Sequence, residues 1–350
     1  MKGTARFIRV WGTGQVGTDV IEPGEVVTTE GSLAVVLERA EHLDQVRQTG
    51  LVAPETRVFV PGAYDSPDGP IVLGYDGSLS DPGGDVQIGT QFFLQTQDYG
   101  TSEYLSLIGA TLVKVVDERD YEAFLVDADT ALRDGSFADF ATHPMVRLCD
   151  AASLGAPIGS DGPRLRLYVA ADRTISTSTT GTVLGEIGDD LAALDAQWSK
   201  FNGESTHPCA VALSTVVPEE VRVAGLAERP WIARYHGALA AIRSLRSRNL
   251  TDGRDVQVSG FGGRLVPELA DVAQPWDVAQ EEAPLLLSTP AAAFLYSAES
   301  ERIFQVPAAA SADVDRLLVH GSAEAAQAGD LDRLIRVRDY FDGVGVPVCA

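Results

Sequence analysis

Proline, glycine and charged residues interrupt every apolar stretch of this chain well short of the ~20 residues that a membrane-spanning helix requires. A chain of 350 residues built this way must pack short elements on one another, and at roughly 150 residues per domain it is expected to form two or three cores. Residues 1–116 read as a strand-rich body. Extended runs fall at 6–10, 33–37, 57–60, 71–73, 86–94 and 112–116, and the breakers Pro61-Gly62, Asp68-Gly69, Asp76-Gly77 and Pro82-Gly83-Gly84 stand between them. A short helix at 41–48 interrupts the series, so the expected class is α+β (mixed α/β) and not a pure sandwich.

Residues 117–263 read as a mixed helical and hairpin region. Asp117 can cap a helix whose apolar face is Tyr121, Phe124, Leu125, Ala128 and Leu132 and which Gly135 ends. A hairpin is predicted at 164–178, turning near Asp172. A second amphipathic helix carries Leu191, Leu194, Trp198 and Phe201, and Pro230 opens a third that runs to about Arg248 with Trp231, Tyr235, Leu239 and Ile242 on its stripe. Arg229, Arg234, Arg243, Arg246 and Arg248 accompany that stripe without an acidic residue, so Arg234, Arg243 and Arg246 are candidate contacts for a protein partner. Residues 264–282, acidic and holding Pro267 and Pro275, read as a linker. From 283 to 350 the pattern changes to short strands at 285–288, 293–297 and 302–306, then helices at 312–319, 323–328 and 331–342, which is a winged-helix-like order.

The formal charge is −23, a field that repels phosphate backbones and disfavours nucleic acid and anionic membrane as partners. The N-terminal residues lack a continuous apolar core of the kind a secretory signal carries. Cys149, Cys209 and Cys349 are odd in number and far apart, which points to a reducing, cytoplasmic setting and away from a disulfide framework.

Motifs for chemistry are sparse. Gly12-Thr13-Gly14-Gln15-Val16-Gly17 has the G-x-G-x-x-G form, but Pro23 and Gly24 follow too soon for the helix that would hold a pyrophosphate, so it is read as a glycine-rich strand connection. Gly260, Gly262 and Gly263 lack a following Lys-Ser/Thr and read as a tight loop packing Phe261. His207 and Cys209 find no second close pair of metal ligands. The expected cofactor and metal complement is therefore none, and an enzyme working through residues 12–17 or 260–263, or a structural scaffold, remain the rival classes.

The positive signal lies at the C-terminus. On the last helix Leu331, Leu334, Ile335 and Phe341 form an inward face, and Arg333, Arg336, Val337 and Tyr340 an adjacent outward one. The strand carrying Arg302, Phe304 and Val306 can offer an open edge to an extended peptide, with pockets formed against that helix.

The run Ala293-Phe294-Leu295-Tyr296 into Arg302-Ile303-Phe304, followed by helices ending Tyr340-Phe341-Asp342-Gly343-Val344-Gly345, resembles the recognition element of pathways that modify ribosomally made peptides. The likeness covers residues 283–348 and rests on element order and apolar spacing. Together with Phe137-Ala138-Asp139-Phe140, His143-Pro144, Arg166-Leu167-Tyr168-Val169, Ile175-Ser176-Thr177-Ser178, Arg229-Pro230-Trp231 and Val258-Ser259-Gly260-Phe261-Gly262-Gly263, the chain is similar to the recognition proteins of daptide biosynthesis. The resemblance implies a non-catalytic subunit that binds the leader of a precursor peptide. It also implies a partner, an iron-dependent, alcohol-dehydrogenase-like oxidoreductase that oxidatively decarboxylates the precursor's C-terminal threonine.

Overall fold

The computed structural model describes residues 2–16, 30–63, 71–81, 83–89, 92–157, 161–207, 209–251, 255–326 and 330–349. The turns expected at Asp68-Gly69 and at Pro82, residues 17–24 of the glycine motif and its continuation, and the end of the helix expected at 323–328 lie outside them. The fold is mixed α+β and divides into two compact units, residues 1–124 with 145–227 and residues 125–144 with 228–350. Among the described residues no helix is long and apolar enough to cross a membrane.

Unit 1 opens with α1 (Lys2–Thr13), which corrects the strand expected at 6–10. Apolar residues at 7, 8, 10 and 11 follow the i, i+3, i+4 spacing of one helix face. In the helix Ile8 and Trp11, three residues apart, reach one core together. A single ten-stranded sheet follows. In chain order the elements are β1 (Ala34–Leu37), α2 (Leu43–Arg47), β2 (Arg57–Pro61), β3 (Ile71–Gly77), β4 (Asp85–Ile88), β5 (Phe92–Asp98), β6 (Ala110–Lys114), α3 (Glu118–Asp134), whose residues from 125 on belong to unit 2, β7 (Val146–Leu148), β8 (Arg166–Val169), β9 (Thr174–Ser176) and β10 (Gly185–Glu186), with α4 (Leu191–Gly203) and α5 (Glu219–Ala227) after them. The strand order is β10-β9-β8-β1-β2-β3-β4-β5-β6-β7.

The run expected at 86–94 is a hairpin of β4 and β5, since Gly89, at φ +57, turns the chain and donates to the carbonyl of Gly74. The boundary expected at residue 116 is absent: β7 pairs in parallel with β6, and β8 with β1, so the hairpin expected at 164–178 is part of the same sheet. Apolar side chains leave both faces. Val35, Leu37, Val58 and Val60 meet α2 and α4 on one side, while Ala34, Val36 and Phe59 meet α1 on the other. A strand covered on both faces needs a continuous apolar run, which is why Ala34, Val35, Val36 and Leu37 are all buried.

Unit 2 contains α6 (Ile232–Ser247), β11 (Gln257–Val258), β12 (Leu285–Ser288), β13 (Ala293–Ser297), β14 (Arg302–Val306), α7 (Ala308–His320) and α8 (Leu331–Gly343). The four strands form an antiparallel sheet in the order β11-β12-β13-β14. Between α7 and α8, residues 323–326 form turns in place of the short helix expected there. Leu286, Leu295, Val306, Leu317, Leu334 and Phe341 share one core.

Residues 264–282 are packed, which corrects the expected linker. Val266, Leu269 and Asp277 are buried, and Asp277 sits between Arg264 (2.7 and 2.9 Å) and Arg234 (3.2 Å). Asp315 of α7 accepts from the Val266 amide at 2.8 Å and from the Ser259 hydroxyl. The small sheet therefore extends to β11, and the segment 283–350 is not separable from residues 256–282. Acidic residues and prolines look like a solvated connection until their charges find buried partners far along the chain.

Candidate functional site

The candidate site is the β14 edge of the small sheet. β14 pairs with β13 in the register Ala293↔Val306, Leu295↔Phe304, Ser297↔Arg302, and among the described residues nothing pairs with its other side. Alternate residues of a strand share a face, so Arg302, Phe304 and Val306 lie on the helix-covered side with Leu295 and Ala293.

The seven side chains expected to contact a peptide divide. Val306 is buried in the core, and Phe304 and Val337 are half-buried and packed against it. The half-buried position of Val337 corrects its outward placement. Arg333 is turned to α7, with Nε 2.6 Å from Asp313 and a further bond to the carbonyl of Ala309. Arg302, Arg336 and Tyr340 are exposed. The Arg302 guanidinium lies 4.9 Å from the centroid of the Phe304 ring, and Tyr340 meets the Phe341 ring edge-on at 5.2 Å. Leu331, expected inward, is exposed, because it opens α8 beside the capping carboxylate of Asp330.

The arginines expected to dock a partner are engaged inside unit 2. Arg234 is buried, donates to the carbonyl of Ala283 at 3.0 Å and pairs with Asp277; burial draws its pKa down to about 10 even with that carboxylate beside it. Arg243 donates to the carbonyl of Ala141 at 2.7 Å, and Arg246 to Asp139 and the Thr142 hydroxyl at 2.9 and 2.7 Å. The helix is a packing element whose cations tie residues 139–142 and 277–283 to it.

The amides of Gly260, Phe261 and Gly262 donate to the carbonyls of Gly263, Val258 and Leu132, and Phe261 packs on Phe137 and Trp231. Gly12 lies within α1 and not in a strand connection. A Cβ there would come within 2.7 Å of Leu112, and one on Gly14, at φ +68, would collide with Arg166. These glycines let a helix end close to a strand and to a buried guanidinium. Among the described residues no group of three or more His, Cys, Asp or Glu side chains is placed to hold a metal.

That guanidinium belongs to a cluster the sequence does not reveal. Arg166, fully buried at the start of β8, forms a fork on Asp161 at 2.7 and 3.0 Å and reaches Asp150 at 2.7 Å. It also donates to the carbonyls of Trp11 and Gly12 at 3.0 and 3.3 Å, where the C-terminal end of a helix favours a cation. Burial lowers the Arg166 pKa, but Asp161 and Asp150 outweigh it and hold the group above its ordinary value. Burial pushes Asp150 up to about 6 in spite of Arg166. Lys114 is buried nearby, its pKa lowered by burial, and donates to the carbonyl of Leu79. The recess bounded by Trp11, Lys114, Cys149, Asp150, Arg166 and Ser178 has room for about one water molecule, too little for a substrate. The cluster fastens α1, the loop after β7 and β8 together.

Burial pushes the Cys149 and Cys209 thiols up to about 12, which keeps both as thiols at neutral pH. Near pH 8 each is expected to react with a disulfide reagent on the order of 10³-fold more slowly in the folded chain than in urea, because the thiolate is the reacting form. Peptide mapping after timed labelling checks this, and equal rates would place the thiols in contact with water. No known family, no curated protein and no solved structure matches this chain.

Proposed function

We propose that this chain is a non-catalytic recognition subunit that binds the leader of a ribosomal precursor peptide along β14 and presents the core to a modifying enzyme. The observation that carries the reading is β14 itself: the outermost strand of its sheet, unpaired on one side among the described residues and covered on one face by helical side chains. Such an edge accepts an extended peptide as a further strand, with main-chain bonds for affinity and the adjacent helix for specificity. The resemblance of residues 283–348 to recognition elements supports it through the order of three strands followed by helices. On this reading the redox chemistry, oxidative decarboxylation of the precursor's C-terminal threonine, belongs to an iron-dependent, alcohol-dehydrogenase-like partner, and the chain itself holds no cofactor.

Fluorescence anisotropy of a labelled precursor leader against the full-length chain tests the reading. The whole chain is needed because β11 and Asp315 bind residues 256–282 to the small sheet. Arg336→Ala and Tyr340→Ala are each expected to weaken binding by about 1–3 kcal/mol, or roughly 5- to 150-fold. Thermal unfolding should not move, since both side chains are exposed. A leader that does not bind the intact chain, or that binds both variants as tightly as the parent, overturns the assignment.

A further inference from the structure

We infer that the strand docked on β14 carries a carboxylate two residues from a large apolar side chain, both facing the helices. The inference rests on the peptide-docking reading above and adds the chemistry of the ligand. Residues 283–350 contain five arginines. Arg316 and Arg333 pair with Asp313, and Arg338 with Asp339 and Asp342. Arg302 and Arg336 meet no carboxylate among the described residues, and both are exposed. The chain holds 50 acidic residues against 27 lysines and arginines, so carboxylates are in excess, yet the two guanidiniums left without one stand on the edge strand and on α8.

Arg302 supplies the register. It shares a face with Phe304 and Val306, because its partner across β13 is Ser297 while theirs are Leu295 and Ala293. In an added strand, the residue directly opposite Arg302 brings its Cβ to about 5 Å, within reach of a carboxylate–guanidinium pair. Two residues along, the side chain on the same face stands opposite Phe304. Phe304 is only half-buried, so a large apolar side chain there finishes covering its ring. A basic strand would meet the Arg302 guanidinium unfavourably.

The test is selection of a random twelve-residue displayed peptide library against the full-length chain, repeated with Arg302→Glu. The parent is expected to enrich Asp or Glu two positions from a large apolar residue, and Arg302→Glu to enrich Lys or Arg at the acidic position instead. Synthetic copies of the selected peptides should bind the parent about 10-fold more tightly than versions with that acid replaced by its amide, and weaken as salt rises. N-methylation of alternate peptide amides, which leaves the protein untouched, should abolish binding at one set of positions and spare the other. Peptides that show this N-methyl pattern without acidic enrichment, or whose preference Arg302→Glu leaves unchanged, overturn the inference while the docking reading stands. If no selected peptide shows the N-methyl pattern, both fall. Self-association of the chain that competes with the peptides would assign the edge to a second copy and overturn both as well.

Discussion

Replacing Arg166 by methionine is expected to destabilise unit 1 by about 3–5 kcal/mol, because breaking a buried ion pair from one side leaves the other charge uncompensated. Here two carboxylates are left, Asp150 and Asp161, with side-chain exposures of 7% and 0%. The carbonyl of Trp11 loses the Arg166 donor as well, while that of Gly12 keeps the Asp150 amide. Tryptophan fluorescence during urea unfolding reads the effect, since Trp11 and Trp198 report from the sheet's two cores. Replacing the two aspartates together with Arg166 by apolar residues of similar size should recover much of the loss, because a desolvated charge cluster often contributes little net stability over well-packed apolar groups. A loss below about 1 kcal/mol for Arg166→Met alone would mean that water reaches the cluster.

Asp277→Ala is the second variant for which a large loss is expected, again about 3–5 kcal/mol, this time in unit 2. Asp277 is 1% exposed and is the carboxylate shared by Arg234 and Arg264. Without it two buried guanidiniums face each other. Asp277→Asn keeps the acceptor oxygen but not the charge and should fall between parent and alanine. Hydrogen exchange at the amides of residues 264–282 should accelerate before that of β12 and β13, because those residues are held by side-chain pairs and not by a strand ladder. Parent-like exchange in Asp277→Ala would show that burial of Val266 and Leu269 alone fixes the segment. Peptide binding at β14 should weaken only as far as the folded fraction falls, which separates this structural role from the contacts of Arg336 and Tyr340.

These two variants mark where sequence reading stops. Asp277 lies in a stretch that reads as a linker, and Arg166 in a strand that reads as ordinary. A buried ion pair has no local signature: the partners of Arg166 stand at 150 and 161 and those of Asp277 at 234 and 264, and each carboxylate resembles the many solvated ones of an acidic chain. The same limit applied to α6. Its arginines looked like a docking stripe, and only packing shows Arg234 inside and Arg243 and Arg246 bonded to residues 139–142.

What the sequence determined by itself is local. The Asp117 carboxylate accepts from the Asp120 amide at 2.9 Å at the start of α3, Gly135 takes φ +71 at its end, and Asp190 caps α4 through the Ala193 amide. Caps, stripes and turn glycines act over one or two turns of chain, so they are written in neighbouring residues. The β8–β9 hairpin and the β13–β14 pair were legible for the same reason, and with them the strand whose edge is the candidate site. The tertiary structure decided everything that depends on distant partners. It set β8 beside β1 across more than a hundred residues and chose which of seven candidate contacts stay exposed. A pairing such as β8 with β1, or the Asp277–Arg234 ion pair, is stabilised by groups that come together only when the chain has folded, and no short window of sequence contains both halves of it.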